Sequence, residues 1–178
     1  IALITGGGTG IGLSIAKKLH SMNKTVVLTG RRKEKLLEAK KLLKSRCHIV
    51  ENDISNLNSI PDLVNDIEKE IGPINFLINN AGTHLRKIAV ETTDAEWKSV
   101  IDTNLNSVFS LSRECAKKMI KRKRGNIILV GSVTTIMGLP DVTAYATSKT
   151  ALSGLARTLA IELGKYSINV NCICPGFI

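Results

Sequence analysis

The sequence predicts an α/β fold in which one doubly wound parallel sheet lies between two layers of helices. Short apolar segments alternate with longer segments of helical spacing along the chain, and such alternation builds βαβ units with right-handed crossovers. Hydrophobic residues make up 43% of the 178 residues and aromatic residues only 3%, which favours the aliphatic core of a parallel sheet covered by helices. Because no linker or repeat divides the sequence, we expect a single domain over residues 1–178.

The individual elements follow from the hydrophobic periodicity. Apolar runs predict six strands, at 1–5, 25–29, 48–51, 74–78, 126–130 and 169–173. Helical spacing predicts five helices, at 11–21, 33–44, 57–70, 94–121 and 144–163. Gly72-Pro73 and Gly125 are helix-stop signals before strands.

A glycine-rich loop joins the first strand to the first helix. Residues 5–12 read TGGGTGIG, with spaced glycines at Gly6, Gly10 and Gly12. Glycine lets the backbone turn tightly and approach a pyrophosphate, whose charge then lies at the helix N-terminus. With a strand before it and a helix after it, the loop predicts a Rossmann-type dinucleotide site containing these glycines and Ile11. The alternative is a tight turn that binds nothing.

The residues after the second strand indicate which dinucleotide is preferred. An acidic residue there would bind the ribose 2′-hydroxyl of NAD, whereas an arginine would bind the 2′-phosphate of NADP. The sequence has Gly30-Arg31-Arg32 and no acid at this point. We therefore expect NADP(H) to be preferred, with NAD(H) possible, and Arg31 and then Arg32 to bind the phosphate. The alternative is that both arginines are exposed surface charges that bind no cofactor.

Tyr145 and Lys149 form a candidate acid/base pair. Their spacing of four places both side chains on one face of the last helix. A tyrosine has an ordinary pKa of about 10, so it is a poor proton donor or acceptor at neutral pH. A lysine cation beside it favours the phenolate and lowers that pKa.

Three further polar features follow buried strands or interrupt a helix. Ser132 comes at the end of the fifth strand, where it can donate a hydrogen bond to a substrate carbonyl, since ligands of such sheets lie beyond the carboxyl ends of strands. The run 79–82, Asn-Asn-Ala-Gly, follows the fourth strand, and its small residues allow close approach to a cofactor. Asn104 lies inside the predicted fourth helix, although asparagine is a mediocre helix former. A polar role, such as holding a water, would explain its presence there.

Taken together, these motifs resemble those of the short-chain dehydrogenase/reductase family. The shared features are TGxxxGxG, NNAG, the helix asparagine, the strand-end serine, YxxxK and Pro175-Gly176. The resemblance implies that Tyr145 is the general acid/base and that Lys149 lowers its pKa and holds the nicotinamide ribose. It also implies that Ser132 orients the substrate oxygen and that Asn104 anchors a proton-relay water.

The same resemblance implies a set of cofactor contacts. Asp53 would meet the adenine ring, and Asn80 would touch the adenosine-side ribose and stabilise the sheet. Ala81 and Gly82 would line the approach to the cofactor, and Pro175 and Gly176 would line the nicotinamide pocket. Members of the family are usually longer and have a seventh strand. We therefore expect that the chain lacks this strand and the substrate loop at its C-terminus, and a few residues at its N-terminus. A homotetramer or homodimer is expected for the full-length protein.

Composition excludes several other classes. The net charge is +10, but aromatic residues are too scarce for the stacking platforms of a nucleic-acid-binding protein. No apolar run is long enough to span a membrane and no leader opens the chain, so neither membrane insertion nor secretion is expected. The four cysteines are Cys47, Cys115, Cys172 and Cys174. Because their spacing is not that of a metal site, we expect no bound metal and reduced thiols, as in a cytoplasmic protein.

The substrate is the least readable property. The stretch 79–87, followed by Glu96-Trp97 and Asp102-Thr103-Asn104, is similar to that of gluconate 5-dehydrogenase-type members. Either Arg86 or Lys87 could attract a carboxylate; otherwise both are surface charges of a loop. A carrier-protein-linked 3-oxoacyl reductase is the alternative, in which the basic run 117–124 would meet an acidic carrier. Two other classes remain open: a dinucleotide-binding module without catalysis, and a methyltransferase built on a similar sheet.

Overall fold

The computed structural model describes residues 1–177 and contains a six-stranded parallel sheet with strand order β3-β2-β1-β4-β5-β6. Its strands are β1 (Ala2–Thr5), β2 (Val26–Gly30), β3 (Cys47–Glu51), β4 (Phe76–Asn79), β5 (Gly125–Val130) and β6 (Ile168–Ile173). Each predicted strand is present, with ends shifted by at most two residues. The fold class predicted from the sequence is therefore confirmed.

Helices cover both faces of the sheet. They are α1 (Gly10–Ser21), α2 (Lys33–Leu43), α3 (Ile60–Glu70), α4 (Asp94–Ile101), α5 (Ser107–Arg122) and α6 (Thr143–Gly164). Because successive strand residues face opposite sides of a sheet, neighbouring residues of β1 enter different cores. Ile4 packs with Ala16 of α1 and Leu36 of α2, whereas Leu3 packs with residues of α3, α5 and α6 such as Leu111 and Leu152. The result is the three-layer arrangement.

Two predicted helices differ from those observed. The predicted helix at 94–121 is interrupted by a π-helical turn at Asp102–Asn106, where the extra residue in the turn re-aims the side chains around Asn104. The predicted helix at 57–70 begins with a 3₁₀ turn at Leu57–Ser59, and its α-helical part starts at Ile60.

Gly125 does not end a helix as predicted. The left-handed residue that closes α5 is Lys123, with φ of 50°, and Gly125 is the first residue of β5. A Cβ at Gly125 would clash with the side chain of Met119. The glycine is therefore required by close packing of the helix on the strand rather than by the turn.

The strand order places the connection reversal between β1 and β4. In open α/β sheets the ligand site lies in the crevice beyond the carboxyl ends of the strands at this reversal. Thr5 ends β1 and Asn79 ends β4, so the glycine-rich loop and the NNAG run meet at that edge.

Three further properties concern the described residues 1–177. Within them, no helix is both long enough and apolar enough to cross a bilayer. Cys47 and Cys115 are buried free thiols, Cys172 is partly buried, and Cys174 is exposed. Over the same part of the chain, no three His, Cys, Asp or Glu side chains come together as a metal-binding group.

Candidate active site

The glycine-rich loop is held by close backbone packing. Gly6 and Gly10 have positive φ values of 63° and 54°, which favour glycine. A Cβ on Gly12 would clash with the carbonyl oxygen of Gly6 and would lie 2.6 Å from Asn80 Nδ2. Gly10, in contrast, has no atom within 4 Å of its Cβ position among the described residues. The loop is therefore tightly packed below and open above, where α1 begins.

Thr5 ties this loop to the NNAG run. Its Oγ1 accepts hydrogen bonds from the main-chain N–H groups of Asn80 at 3.0 Å and Ala81 at 2.9 Å. The Asn80 side-chain amide donates to the carbonyl oxygen of Thr5 at 2.9 Å and that of Gly6 at 3.3 Å. Asn80 thus joins the ends of β1 and β4, the sheet-stabilising part of the role expected for it. Thr5 was not predicted as a site residue.

A cavity of about 340 Å³ lies above the loop and runs along the ends of β1 and β2. Most residues expected to bind the cofactor line it: Gly6, Gly10, Ile11, Arg31, Arg32, Asp53, Asn80, Ala81 and Gly82. Gly12 lies beneath the loop instead. The open space at Gly10 and the helix N-terminus beside it suit a pyrophosphate, and the cavity extends from there to the two arginines. The residues present therefore fit a dinucleotide.

The far wall of this cavity is basic. Arg31 and Arg32 follow β2 and are exposed, and Arg32 Nη2 donates to Thr9 Oγ1 at 3.3 Å. Within residues 1–177 neither arginine forms an ion pair, whereas Lys35 on the same wall is paired with Glu38 at 2.9 Å. Both guanidinium groups thus remain available to an anion.

Asp53 follows β3 and also lines the cavity. Its Oδ1 accepts hydrogen bonds from Ser55 N at 3.0 Å and Ser55 Oγ at 2.8 Å. These bonds fix the carboxylate in the turn after β3, at the rim where an adenine ring was expected.

Tyr145 and Lys149 share one face of α6. Lys149 Nζ lies 5.8 Å from the centroid of the Tyr145 ring and donates to the carbonyl oxygen of Val130 at 2.7 Å. The lysine is only 5% exposed. Burial lowers its pKa from the ordinary value of 10.5 to about 8, partly opposed by the nearby thiols of Cys172 and Cys174. A cation this poorly solvated is readily stabilised by a new hydrogen-bonding partner.

Ser132 stands two residues beyond the end of β5 rather than at its last residue. It caps the 3₁₀ turn Val133–Thr135, and its Oγ accepts a hydrogen bond from Thr134 N at 3.2 Å. The turn is attached to α6, because Thr135 Oγ1 donates to the carbonyl oxygen of Lys149 at 3.2 Å. Ser132 is therefore fixed relative to the helix that carries Tyr145.

Pro175 and Gly176 follow β6 beside this turn. Val133 N donates to the carbonyl oxygen of Pro175 at 2.8 Å, and Gly131 N donates to that of Ile173 at 2.7 Å. Neither Pro175 nor Gly176 lines the cavity above the glycine-rich loop. Pro175 is thus attached to the Ser132 turn, and the nicotinamide contact expected of both residues stays a prediction.

Asn104 is fully buried and links three segments. Its Oδ1 accepts from Thr83 N at 2.8 Å, and its Nδ2 donates to Thr83 O at 2.9 Å and to Ser148 Oγ at 3.0 Å. Ser148 Oγ donates in turn to the carbonyl oxygen of Tyr145 at 2.7 Å. Both side-chain amide hydrogens of Asn104 are thus used. The predicted water could therefore only donate a hydrogen bond to Asn104, either to Oδ1 or to the main-chain carbonyl oxygen.

Gly82 separates this asparagine from the lysine. A Cβ on Gly82 would lie 3.3 Å from Asn104 Oδ1 and 3.5 Å from Lys149 Nζ. A side chain there would press on Asn104 Oδ1 and come into van der Waals contact with Lys149 Nζ. Gly82 also lines the cofactor cavity, so Lys149 lies directly behind the cavity wall.

His84 lies at the site, although no role was predicted for it from the sequence. Its ring centroid lies 4.6 Å from that of Tyr145, with an interplanar angle of 50°. Thr83 and Ser148 were likewise missed, and as ordinary small polar residues they carry no sequence signal. For His84 the sequence contains one weak indication of a site role, because the residue lies two positions after the NNAG run.

The buried Lys149 predicts a pH-dependent stability. Because its pKa is lower in the folded chain, the protonated lysine opposes folding; this cost is full below about pH 8 and fades towards pH 10.5. We expect wild-type stability, measured against Lys149→Met by denaturant titration, to improve by about 2–3 kcal/mol between pH 7 and pH 10. The exposed Lys121→Met is the control and should show no such trend. A constant difference between wild type and Lys149→Met would contradict this prediction.

Many known proteins are similar in sequence to this chain. The family model described as short chain dehydrogenase matches residues 1–178. A 3-oxoacyl-[acyl-carrier-protein] reductase of Buchnera aphidicola is 37% identical over 100% of this chain and 73% of its own length. The nodulation protein G of a Rhizobium strain is 37% identical over 99% of the chain and 72% of its own length.

Gluconate dehydrogenases are also among the relatives. The gluconate 5-dehydrogenase of Gluconobacter oxydans is 34% identical over 99% of this chain and 70% of its own length. A solved gluconate 5-dehydrogenase from Burkholderia cenocepacia, in complex with NADP and tartrate, superposes with a TM-score of 0.93 at 29% identity. It covers 99% of this chain, which spans 70% of that protein.

Proposed function

Since the chain belongs to the short-chain dehydrogenase family, whose members are oxidoreductases acting on CH–OH groups, we propose that it interconverts a ketone and a secondary alcohol with NADP(H). One observation carries the proposal: Tyr145 and the buried Lys149 share a helix face beside the Ser132 turn. Gly82, which lines the dinucleotide cavity, lies next to that lysine. Membership of this family also removes the methyltransferase alternative.

The chain's own residues would handle the proton. In the reducing direction the Tyr145 phenol donates its proton to the substrate oxygen, and the Lys149 cation stabilises the phenolate left behind. The Ser132 hydroxyl donates a hydrogen bond to the same oxygen and orients it. Asn104 positions the tyrosine through Ser148, and Lys149 would hold the nicotinamide ribose. When bound, the cofactor supplies the hydride chemistry.

A preference for NADP is supported by the two free guanidinium groups at the end of β2. A planar guanidinium binds phosphate oxygens in a bidentate manner, and Arg31 and Arg32 have no acidic partner among the described residues. Arg32 donates to Thr9 Oγ1, whereas Arg31 has no side-chain hydrogen bond among the described residues, so Arg31 is the donor that would bind the 2′-phosphate first.

The substrate we propose is a sugar acid such as 5-keto-D-gluconate. Of the two basic candidates, Lys87 is neutralised by Glu96, with Nζ 3.0 Å from both carboxylate oxygens. The Arg86 side chain is 75% exposed and reaches Asp141 only at 4.0 Å. Arg86 is therefore the residue available to a substrate carboxylate. The related Burkholderia structure holds tartrate, a hydroxy acid, together with NADP.

The alternative substrate, a carrier-protein-linked 3-oxoacyl group, is supported by the Buchnera relative. The basic run 117–124 adds little to it. This run ends α5 and leads into the amino end of β5, whereas Tyr145 lies at the carboxyl edge of the sheet. In addition, Arg122 is engaged by Glu68 at 2.7 Å.

The fold also leaves large apolar side chains exposed on α4 and α5. Trp97 is 39% and Phe109 is 45% exposed. Their exposure supports the proposal that the protein is a homo-oligomer, because such side chains are commonly covered in assemblies.

The proposed substrate is tested by NADPH-dependent reduction of 5-keto-D-gluconate, followed by absorbance. We expect turnover by the wild type and a KM at least about tenfold higher for Arg86→Ala, because one charge-assisted hydrogen bond is lost. Arg46→Ala removes a similar exposed charge between α2 and β3, at the opposite edge of the sheet, and should behave as wild type. Reduction of an acetoacetyl thioester without reduction of the sugar acid would favour the carrier-protein alternative.

A further inference from the structure

His84 belongs to the segment 83–87, which is attached at Lys87 to the start of α6. Lys87 N donates to the carbonyl oxygen of Asp141 at 2.6 Å, and Lys87 forms a parallel bridge with Val142. Tyr145 follows three residues after that bridge. The backbone of the segment is therefore aligned with the catalytic helix, and its side chains have defined positions beside Tyr145.

Exposure alternates along this segment. His84 and Arg86 are exposed, whereas Thr83, Leu85 and Lys87 are partly buried. This alternation is typical of strand-like backbone, in which alternate residues project to the same side about 6–7 Å apart. His84 and Arg86 thus form a row of two donors that starts at the Tyr145 ring.

The His84 ring packs on the Tyr145 ring but retains its polar capacity. The tilted contact at 4.6 Å is a favourable aromatic geometry. Among the described residues, neither imidazole nitrogen has a hydrogen-bond partner. In the proposed reaction the Tyr145 phenol binds the substrate oxygen. An exposed imidazole N–H beside that phenol can therefore bind a substrate group one or two carbons from the reacting carbon.

We propose that His84 is a specificity residue that donates a hydrogen bond to a substrate hydroxyl next to the reacting carbon. The inference rests on the proposed function and deepens it. Tyr145 engages the ketone oxygen, His84 the neighbouring hydroxyl, and Arg86 the more distant carboxylate. A polyhydroxy acid carries these three groups in that order, whereas a 3-oxoacyl thioester has neither a hydroxyl next to its ketone carbon nor a carboxylate.

The test compares two His84 variants that separate the donor from the ring. His84→Phe keeps an aromatic ring on Tyr145 and removes the N–H; His84→Gln keeps an N–H donor and removes the ring. His48→Phe is the matched control, because His48 is an exposed histidine on β3, far from Tyr145. KM and kcat for 5-keto-D-gluconate and Kd for NADPH are measured for each.

We expect His84→Phe to raise KM about tenfold, the effect of one lost hydrogen bond, with NADPH affinity unchanged. His84→Gln should restore most of the KM, and His48→Phe should match the wild type. A wild-type KM in His84→Phe, or a loss of kcat shared by both His84 variants without a change in KM, would overturn the inference alone. Absence of wild-type turnover of 5-keto-D-gluconate would overturn the proposed substrate and this inference with it.

Discussion

Tyr145→Phe is expected to lower kcat by about 10²- to 10⁴-fold, the usual contribution of a general acid/base. The substitution removes only the phenolic hydroxyl, so the ring contacts with His84 and Lys149 are kept. NADPH binding, measured by fluorescence, should remain close to wild type. The pair of measurements separates a loss of proton transfer from a loss of the cofactor site.

Tyr166→Phe is the matched control for this variant. Tyr166 lies just after α6 and packs against the core remote from the carboxyl edge of the sheet, so its hydroxyl has no part in the chemistry. Full activity of Tyr145→Phe would contradict the proton-transfer role. A wild type that binds NADPH tightly but reduces no carbonyl would favour a dinucleotide-binding module without catalysis.

Gly12→Ala is expected to disrupt the cofactor loop. The added methyl would clash with the Gly6 carbonyl oxygen and press on Asn80 Nδ2, 2.6 Å away. Overpacking of this kind costs about 1–3 kcal/mol. The loop can relieve the clash only by moving away from the β1–β4 junction, and such a shift also moves the pyrophosphate-binding backbone. We expect a Tm several degrees lower and a Kd for NADPH at least about tenfold higher.

Gly164→Ala provides the comparison for the loop variant. Gly164 is the last residue of α6, and no described atom lies within 4 Å of its Cβ position. It should retain NADPH affinity and full stability. Normal cofactor binding by Gly12→Ala would show that the loop does not depend on the close contact with Asn80.

The sheet and the cofactor loop could be predicted because their signals are local. Each strand is a short apolar run, and the spacing of Gly6, Gly10 and Gly12 directly reflects a tight turn followed by a helix. Tyr145 and Lys149 could also be predicted as a pair, since four residues along a helix fix their relative direction. These features depend on nearby residues and not on the rest of the fold.

The supporting contacts could not be predicted, because they join residues distant in sequence. Asn104 is fixed by Thr83 and Ser148, 21 and 44 positions away. The π-helical turn that contains it has no sequence pattern of its own. The bond from Lys149 to the Val130 carbonyl oxygen crosses from helix to strand, and the resulting burial, which lowers the lysine pKa, appears only in the folded chain.

On the substrate side, too, the residues could be named from the sequence but their contacts could not be predicted. Arg86 and Lys87 are equivalent in the sequence, and they are distinguished in the fold by the close ion pair between Lys87 and Glu96 and by the greater exposure of Arg86. His84 gains a role from its contact with Tyr145, which lies 61 positions along the chain and is brought near by the Lys87–Val142 bridge.

The most direct test of an NADP-dependent enzyme is a fluorescence titration of the purified protein with NADPH and with NADH. We expect the Kd for NADPH to be at least about tenfold lower than that for NADH, and Arg31→Ser to remove most of this difference by weakening NADPH alone. Preference for NADH would contradict the phosphate-binding role of the two arginines. A folded protein that binds neither dinucleotide would contradict the account as a whole.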